Sequence, residues 1–363
     1  MTTSSAPEPQ SGIIDVIETY KPLLPIPALI AIMTLAWVVF RKTWQEVDRE
    51  ALAERHRLAQ LGESDPRPMV AMVMCAVILA LHEYYGGRTF FDQLVLPIVQ
   101  KRSSPQQLEQ IAAYNELLGY VWWSGTRIAG YVLPFVVWKF AFPRDCLADF
   151  GLRTKGFWSH AWIYGLFLAI VIPTTVWVST QPDFGSYYPF YKASSRSWFD
   201  FLAWEAMYFA QFFALEMFFR GFWLGALKRT FGSGAIFAMA VPYCMIHFGK
   251  PYLEAIGAIV AGVALGSLSM KTKSIYQGFL VHVTIAGLMD WLSLRRRHCT
   301  PLTWWMQSAP LKTVAASATC SADAPARDAL AQTVERTAAG VVLAIALLGT
   351  AIAFGMRIKR APA

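Results

Sequence analysis

The sequence predicts an all-α polytopic membrane protein, an antiparallel transmembrane helical bundle of about eight or nine helices. Hydrophobic residues fill 55% of the 363 positions against 15% charged, and mean hydropathy is +0.38. That leaves too little polar surface for a soluble domain. Apolar runs close to the ~20 residues that cross hydrocarbon recur along the chain. Between many of them lie short segments holding the Gly, Pro and basic residues expected where a helix stops at an interface.

The elements follow in order. Residues 1–22 form a polar, Pro-containing tail without the basic stretch and small-residue cleavage site of a signal peptide, so the run from Leu23 is expected to be a retained helix. Further runs begin near Met69, Leu117 and Phe157, making residues 23–198 an N-terminal group of spans. This group ends in a Tyr-rich connector, "GSYYPFYKASSRSW", whose aromatics suit the bilayer interface. Residues 199–294 form a denser block, with runs from Phe201, Ser233, Tyr252 and Ile275 joined by "KRTFGSG", "GKP" and "KTKS". In its third run Ala258, Gly262 and Gly266 recur every four residues, which lets a neighbouring backbone approach. Residues 295–337 read as an Ala/Ser-rich extramembrane loop, and residues 338–363 as a last transmembrane helix.

Lys and Arg set the orientation. With the N-terminus outside, 17 basic residues lie on inner segments and 13 on outer ones, six of the latter in the long 295–337 segment. The net charge of +8 is accounted for by this topology and by attraction to anionic lipid, and nucleic acid is not an expected partner. The five cysteines are too few and too scattered for a metal cluster. Cys299 and Cys320 could pair if their loop faces an oxidising space. A multi-pass protein of a bacterial inner membrane is the expected setting.

Charges inside such spans need an account, because one at mid-bilayer costs roughly 2.5–3.5 kcal/mol on insertion scales. The stretch "FALEMFFRGFW" places Glu216 and Arg220 four residues apart on one helix face. His247 stands as far beyond the next turn as Glu216 stands before it, so the two are expected at one depth. His282 lies on the last helix of the block, and Asp290 two turns beyond it. His82, beside Glu83, is expected at a solvated interface, and Glu205 and Glu254 as interface or structural carboxylates.

A carboxylate beside imidazole can act as general base on water, and a second imidazole can donate to an oxyanion or to a leaving amine. Glu216, His247 and His282 are therefore the candidate catalytic residues, with Arg220 and Asp290 in support, and the set suits amide hydrolysis within the membrane. Alternatives stay open. Arg220 can lock Glu216 as a purely structural ion pair. Glu216, His247 and His282 could instead hold a divalent metal such as zinc, although the scheme itself needs no cofactor. A transporter or channel also uses buried charge, but no repeat or broken helix pair is evident. Haem ligation by two histidines would leave the Glu–Arg pair unexplained.

The block resembles the CPBP family, the CAAX protease and bacteriocin-processing (Abi-type) intramembrane proteases. Its three elements, EExxxR continuing RG, FxxxH, and HxxxN or HxxxD, correspond here to "LEMFFRG" (Leu215 to Gly221), "YCMIH" (Tyr243 to His247) and "HVTIA" (His282 to Ala286). The resemblance implies a helical bundle around a conical cavity and a water activated by Glu and His. It implies membrane lipid and a prenylated or membrane-associated protein substrate as partners. Leu215 stands where the family has its first glutamate, Ala286 where it has Asn or Asp, and Tyr243 where it has Phe. A non-catalytic member binding a membrane peptide or lipid tail, as a scaffold, immunity or assembly factor, is the alternative those exchanges raise.

Overall fold

The computed structural model describes residues 23, 25–154, 157, 161–181, 184–250, 252–305, 320, 323–338 and 340. The described residues are predominantly helical and hold no strand, only an isolated bridge between Leu152 and Ser274. The principal helices are α1 (Pro25–Leu61), α2 (Arg67–Tyr85), α3 (Pro105–Ala113), α4 (Asn115–Ala141), α5 (Ala161–Val178), α6 (Trp198–Glu216), α7 (Leu224–Phe231), α8 (Gly234–Met245), α9 (Tyr252–Thr272) and α10 (Tyr276–Arg296). Helices Pro25–Leu61, Arg67–Tyr85 and Glu254–Thr272 are long and apolar enough to cross a membrane. The protein is an all-α membrane protein.

Two expected spans differ from their runs. The run from Ser233 gives only 12 helical residues in α8, about 18 Å at 1.5 Å per residue, because Pro242 removes a backbone donor and the helix stops soon after. The run from Ala338 lies almost entirely outside the described residues.

The described residues divide into two compact units, the boundary falling within α2, α4, α6 and α10. The first takes in residues up to 81, 129–161 and 213–279. Its α1 is 37 residues long, about 55 Å, and therefore outruns the ~30 Å of hydrocarbon. The apolar half leaves Ile30, Leu35, Trp37 and Val38 exposed, as a lipid-facing surface should. The polar half docks: Trp44 Nε1 donates to Ser267 Oγ at 2.9 Å, and Asp48 accepts from Ser233 N at 2.7 Å and Ser233 Oγ at 3.1 Å. Beside it Gly232 takes φ +59°, and a Cβ there would meet Asp48 Oδ1 at 2.4 Å, so the α7–α8 turn admits only glycine without rearrangement. The small face of α9 brings Gly262 to 3.2 Å from Ala240 Cβ, measured from a built Cβ. At the start of α2, Arg67 holds Asp145 through two bonds of 3.0 Å, and Trp138 Nε1 adds a third at 3.1 Å.

The second unit takes in residues 82–128, 162–212 and those from 280 onward. Its core is aromatic, built from Tyr191, Trp204 and Tyr208 with Leu117 and Ala286. Asp200 orders the start of α6: it accepts from Tyr191 Oη at 2.5 Å, Ser197 Oγ at 2.6 Å and Arg196 Nε at 2.9 Å. Cys299 and Cys320 form a disulfide. Near it Asp328 pairs with Arg295 and His298. His82 departs from expectation. It is buried at 6% exposure while Glu83 is exposed, because α2 carries the imidazole against the backbone of Thr126 on α4.

Candidate functional site

Glu216 is the last residue of α6 and flanks a π-helical segment, Met217–Trp223. Such segments insert an extra residue into the helical ladder and often accompany functional sites. Here the widened turn holds Arg220, whose Nη1 lies 3.0 Å from Glu216 Oε1 with both side chains fully buried. The guanidinium also sits over the ring of Tyr243, 3.9 Å from its centroid. Tyr243 in turn lies against His247, ring centroids 5.0 Å apart. Glu216, Arg220, Tyr243 and His247 therefore form a continuous run of contacts within the first unit.

His247 lies just past the end of α8, half-buried. Its Nδ1 is 2.8 Å from the carbonyl of Tyr243. A carbonyl only accepts, so Nδ1 carries the proton and Nε2 is the acceptor nitrogen of the neutral ring. That tautomer can take a proton from water.

Two glycines shape the carboxylate's surroundings. A Cβ on Gly278 would stand 2.5 Å from Glu216 Oε2, and one on Gly221 would stand 2.5 Å from the carbonyl oxygen of Phe150. The glycine after Arg220 is thus a close-approach position, and α10 passes the carboxylate only because residue 278 has no side chain.

In the second unit, His282 on α10 stacks on Phe212 with centroids 5.0 Å apart and planes 11° from parallel. Asp290 is 1% exposed and accepts from Trp204 Nε1 at 2.6 Å. The carboxyl of Glu205, itself buried, lies close to it. Among the described residues no group of three or more His, Cys, Asp or Glu side chains is placed to hold a metal.

Sequence reasoning missed the part played by Tyr243, Gly278 and the Glu205–Asp290–Trp204 group. One signal was there to find: Gly278, His282, Ala286 and Asp290 recur every four residues along α10, the spacing that puts small and functional groups on one drifting stripe.

Residues 197–288, about a quarter of the chain, match the family model described as type II CAAX prenyl endopeptidase Rce1-like. This segment is a CPBP-family domain. The CPBP segment contains all three elements, "LEMFFRG", "YCMIH" and "HVTIA", and hence Glu216, Arg220, His247 and His282. The family is one of proteases, which sets peptide hydrolysis as the reaction class at family level. No curated protein and no solved structure matches the chain.

Proposed function

We propose that this protein is an intramembrane endopeptidase that cleaves a prenylated or membrane-embedded protein, with Glu216, His247 and His282 as its working side chains. The observation that carries this reading is the tautomer of His247. Its Nδ1 is tied to a carbonyl, which presents Nε2 as a proton acceptor inside the segment that matches the endopeptidase family. In this scheme a water oxygen bonds to the scissile carbonyl carbon while its proton passes to Nε2. His282 donates to the oxyanion. Collapse breaks the C–N bond, and the proton on Nε2 moves to the leaving nitrogen. Glu216, whose Oε1 is held by Arg220, orients the site through Arg220 and Tyr243, and Asp290 supports α10 through Trp204.

The same ion pair favours a second reading. A carboxylate held by a fully buried guanidinium is also what a non-catalytic family member would keep, with the domain binding a membrane peptide or lipid tail. The two readings separate in one experiment, a comparison of protein termini in membranes of cells carrying the wild type, Glu216→Ala or His247→Ala at equal levels. New C-termini present only with wild type establish the peptidase and identify its substrates. Identical termini in all three remove the enzyme reading and leave the binding one.

For its location we propose a bacterial inner membrane with the 295–337 segment on the outer side. The Cys299–Cys320 disulfide supports this placement, since structural disulfides persist in oxidising compartments, and so does the excess of basic residues on the opposite segments.

A further inference from the structure

The proposed chemistry makes no use of the cations at the C-terminal end of α10. Arg296 donates to Ser179 Oγ at 2.8 Å and to the Val176 carbonyl at 3.3 Å. Arg297 donates to the carbonyls of Ser293 and Tyr188 at 3.2 and 3.4 Å. Among the described residues neither forms an ion pair, in contrast to Arg295, which reaches Asp328 and Glu335. Each guanidinium has five N–H donors and commits two to the protein, both to neutral oxygens. Both residues line a common space.

That space is a cavity of about 320 Å³ in the second unit, lined by Arg296 and Arg297 with Ser179, Thr180, Gln181 and Ser186. Among the described residues no carboxylate lines it. Lys192 lies nearby, its ammonium donating to the carbonyls of Ser186 and Tyr187 at 2.7 and 3.0 Å. Burial and the like charge of Arg297 hold Lys192 below the ordinary lysine value, while Asp290 and Glu116 act in the opposite direction. Arg297 is itself lowered by burial, with Asp290 opposing. Among the described residues lining the cavity the only charges are positive, set among hydroxyl and amide groups. Gly185 keeps the arrangement open, since a Cβ there would meet Arg297 Cδ at 3.2 Å.

We propose that this cavity is a binding site for a phosphate oxyanion, supplied in the membrane by the headgroup of an anionic phospholipid. Two forked guanidiniums and short hydroxyls match the several oxygens of a phosphate, which planar Arg donors bind in pairs. The volume falls in the range of small-ligand pockets. The cavity lies at the ends of α5 and α10, both read as membrane-spanning, with Trp177 and Tyr187 exposed nearby as in an interfacial aromatic belt. Headgroup phosphates lie at that level. The inference uses no catalytic residue and stands whether or not the peptidase reading does.

The test uses the full chain in phosphatidylcholine nanodiscs with and without phosphatidylglycerol, read by native mass spectrometry. In a parallel arm, inorganic phosphate is titrated into detergent-solubilised protein and followed by thermal midpoint. Wild type is expected to retain phosphatidylglycerol, and Arg296→Gln and Arg297→Gln each to weaken retention roughly tenfold, the effect of losing a charge-assisted bond. Arg102→Gln, which removes an exposed cation elsewhere in the same unit, should change nothing. Protection by inorganic phosphate that both Gln variants lose, without lipid retention, keeps the oxyanion site and assigns its source to free phosphate. Equal retention by wild type and all three variants overturns the proposal, as does displacement of the lipid by a peptide C-terminal carboxylate that inorganic phosphate cannot match. Arg296 is exposed, so Arg296→Gln carries the test if Arg297→Gln does not fold.

Discussion

The buried pair of Glu216 and Arg220 offers the most demanding test of the physical reading. Both side chains are fully buried and 3.0 Å apart, so Arg220→Met removes the cation while leaving a carboxylate in a low-dielectric site. Breaking a buried pair from one side costs about 3–5 kcal/mol. Glu216→Gln breaks it from the other side, but the guanidinium keeps the Tyr243 ring 3.9 Å away. A desolvated cation–π contact is worth about 2 kcal/mol, so Glu216→Gln should be the milder change by roughly that amount. Removing both charges restores a neutral site and should cost less than either single change, since buried pairs often exchange for neutral groups at little net loss. The assay is reversible unfolding of the four proteins by denaturing detergent in mixed micelles, analysed as a double-mutant cycle. Strong coupling with Arg220→Met the worst of the four is the expected result. Additive effects, or Glu216→Gln as the worst, would refute the account of how this charge is tolerated.

Gly278→Ala sets two effects against each other, because helix propensity favours Ala by about 1 kcal/mol while the new methyl would stand 2.5 Å from Glu216 Oε2. Net destabilisation of about 1–3 kcal/mol, relieved when Glu216→Ala is added, is expected by thermal unfolding; stabilisation would show that the carboxylate moves aside freely. Glu205→Gln removes one of two neighbouring buried carboxyl groups and should be neutral or mildly stabilising at pH 7, whereas Asp290→Leu strands Trp204 Nε1 and should cost about 1–3 kcal/mol. Asp145 gives a pH prediction. Burial raises its carboxyl, but bonds from Arg67 and Trp138 outweigh that and hold it below its ordinary value of 3.8. A group lowered on folding contributes stability above its unfolded value and loses it as pH falls through the folded one. The wild type should therefore lose stability below about pH 4 more steeply than Asp145→Asn, and superimposable acid limbs would remove Asp145 from the account. Cys299→Ser should cost about 3 kcal/mol, the loop-closure effect for some twenty residues, and wild-type Cys299 and Cys320 should resist alkylation until reduced.

The parts of the fold that were legible in the sequence are those set by local patterning. Apolar runs located the starts of α1, α2, α4, α5, α6, α8, α9 and α10 within a few residues, since length and hydropathy act through the same lipid solvent that shapes the structure, whereas α3, α7 and the polar half of α1 belong to no such run. The turn between α7 and α8 was marked by its glycine, and the spacing of four put Glu216 and Arg220 on one face before any coordinates. The π-helical turn was not legible, because an extra residue in the ladder leaves no compositional trace. α8 was read too long, because Pro242 sits among residues as apolar as any span and its missing donor acts on geometry rather than on hydropathy. The burial of His82 was likewise hidden, since a histidine at a helix end has the same neighbours in sequence whether it meets water or α4.

The site divides in the same way. Motif spacing picked out Glu216, Arg220, His247 and His282, but it could not show what joins them. The joining group is Tyr243, which stands at the position the related proteases fill with Phe. Its ring face lies 3.9 Å from the Arg220 guanidinium, a cation–π contact that reinforces the cation holding Glu216. Leu215, 4% exposed, puts an apolar side chain where the family has a second carboxylate, leaving Arg220 one acidic partner in that motif. The Leu215 exchange removes a negative charge from the motif, while Tyr243 keeps an aromatic face against its cation. In the proposed scheme the water-activating step falls to His247, whose Nδ1 is held by a backbone carbonyl rather than by a carboxylate, and on that scheme His247→Ala discriminates more sharply than any change at Glu216 between a peptidase and a binding protein built on the same helices.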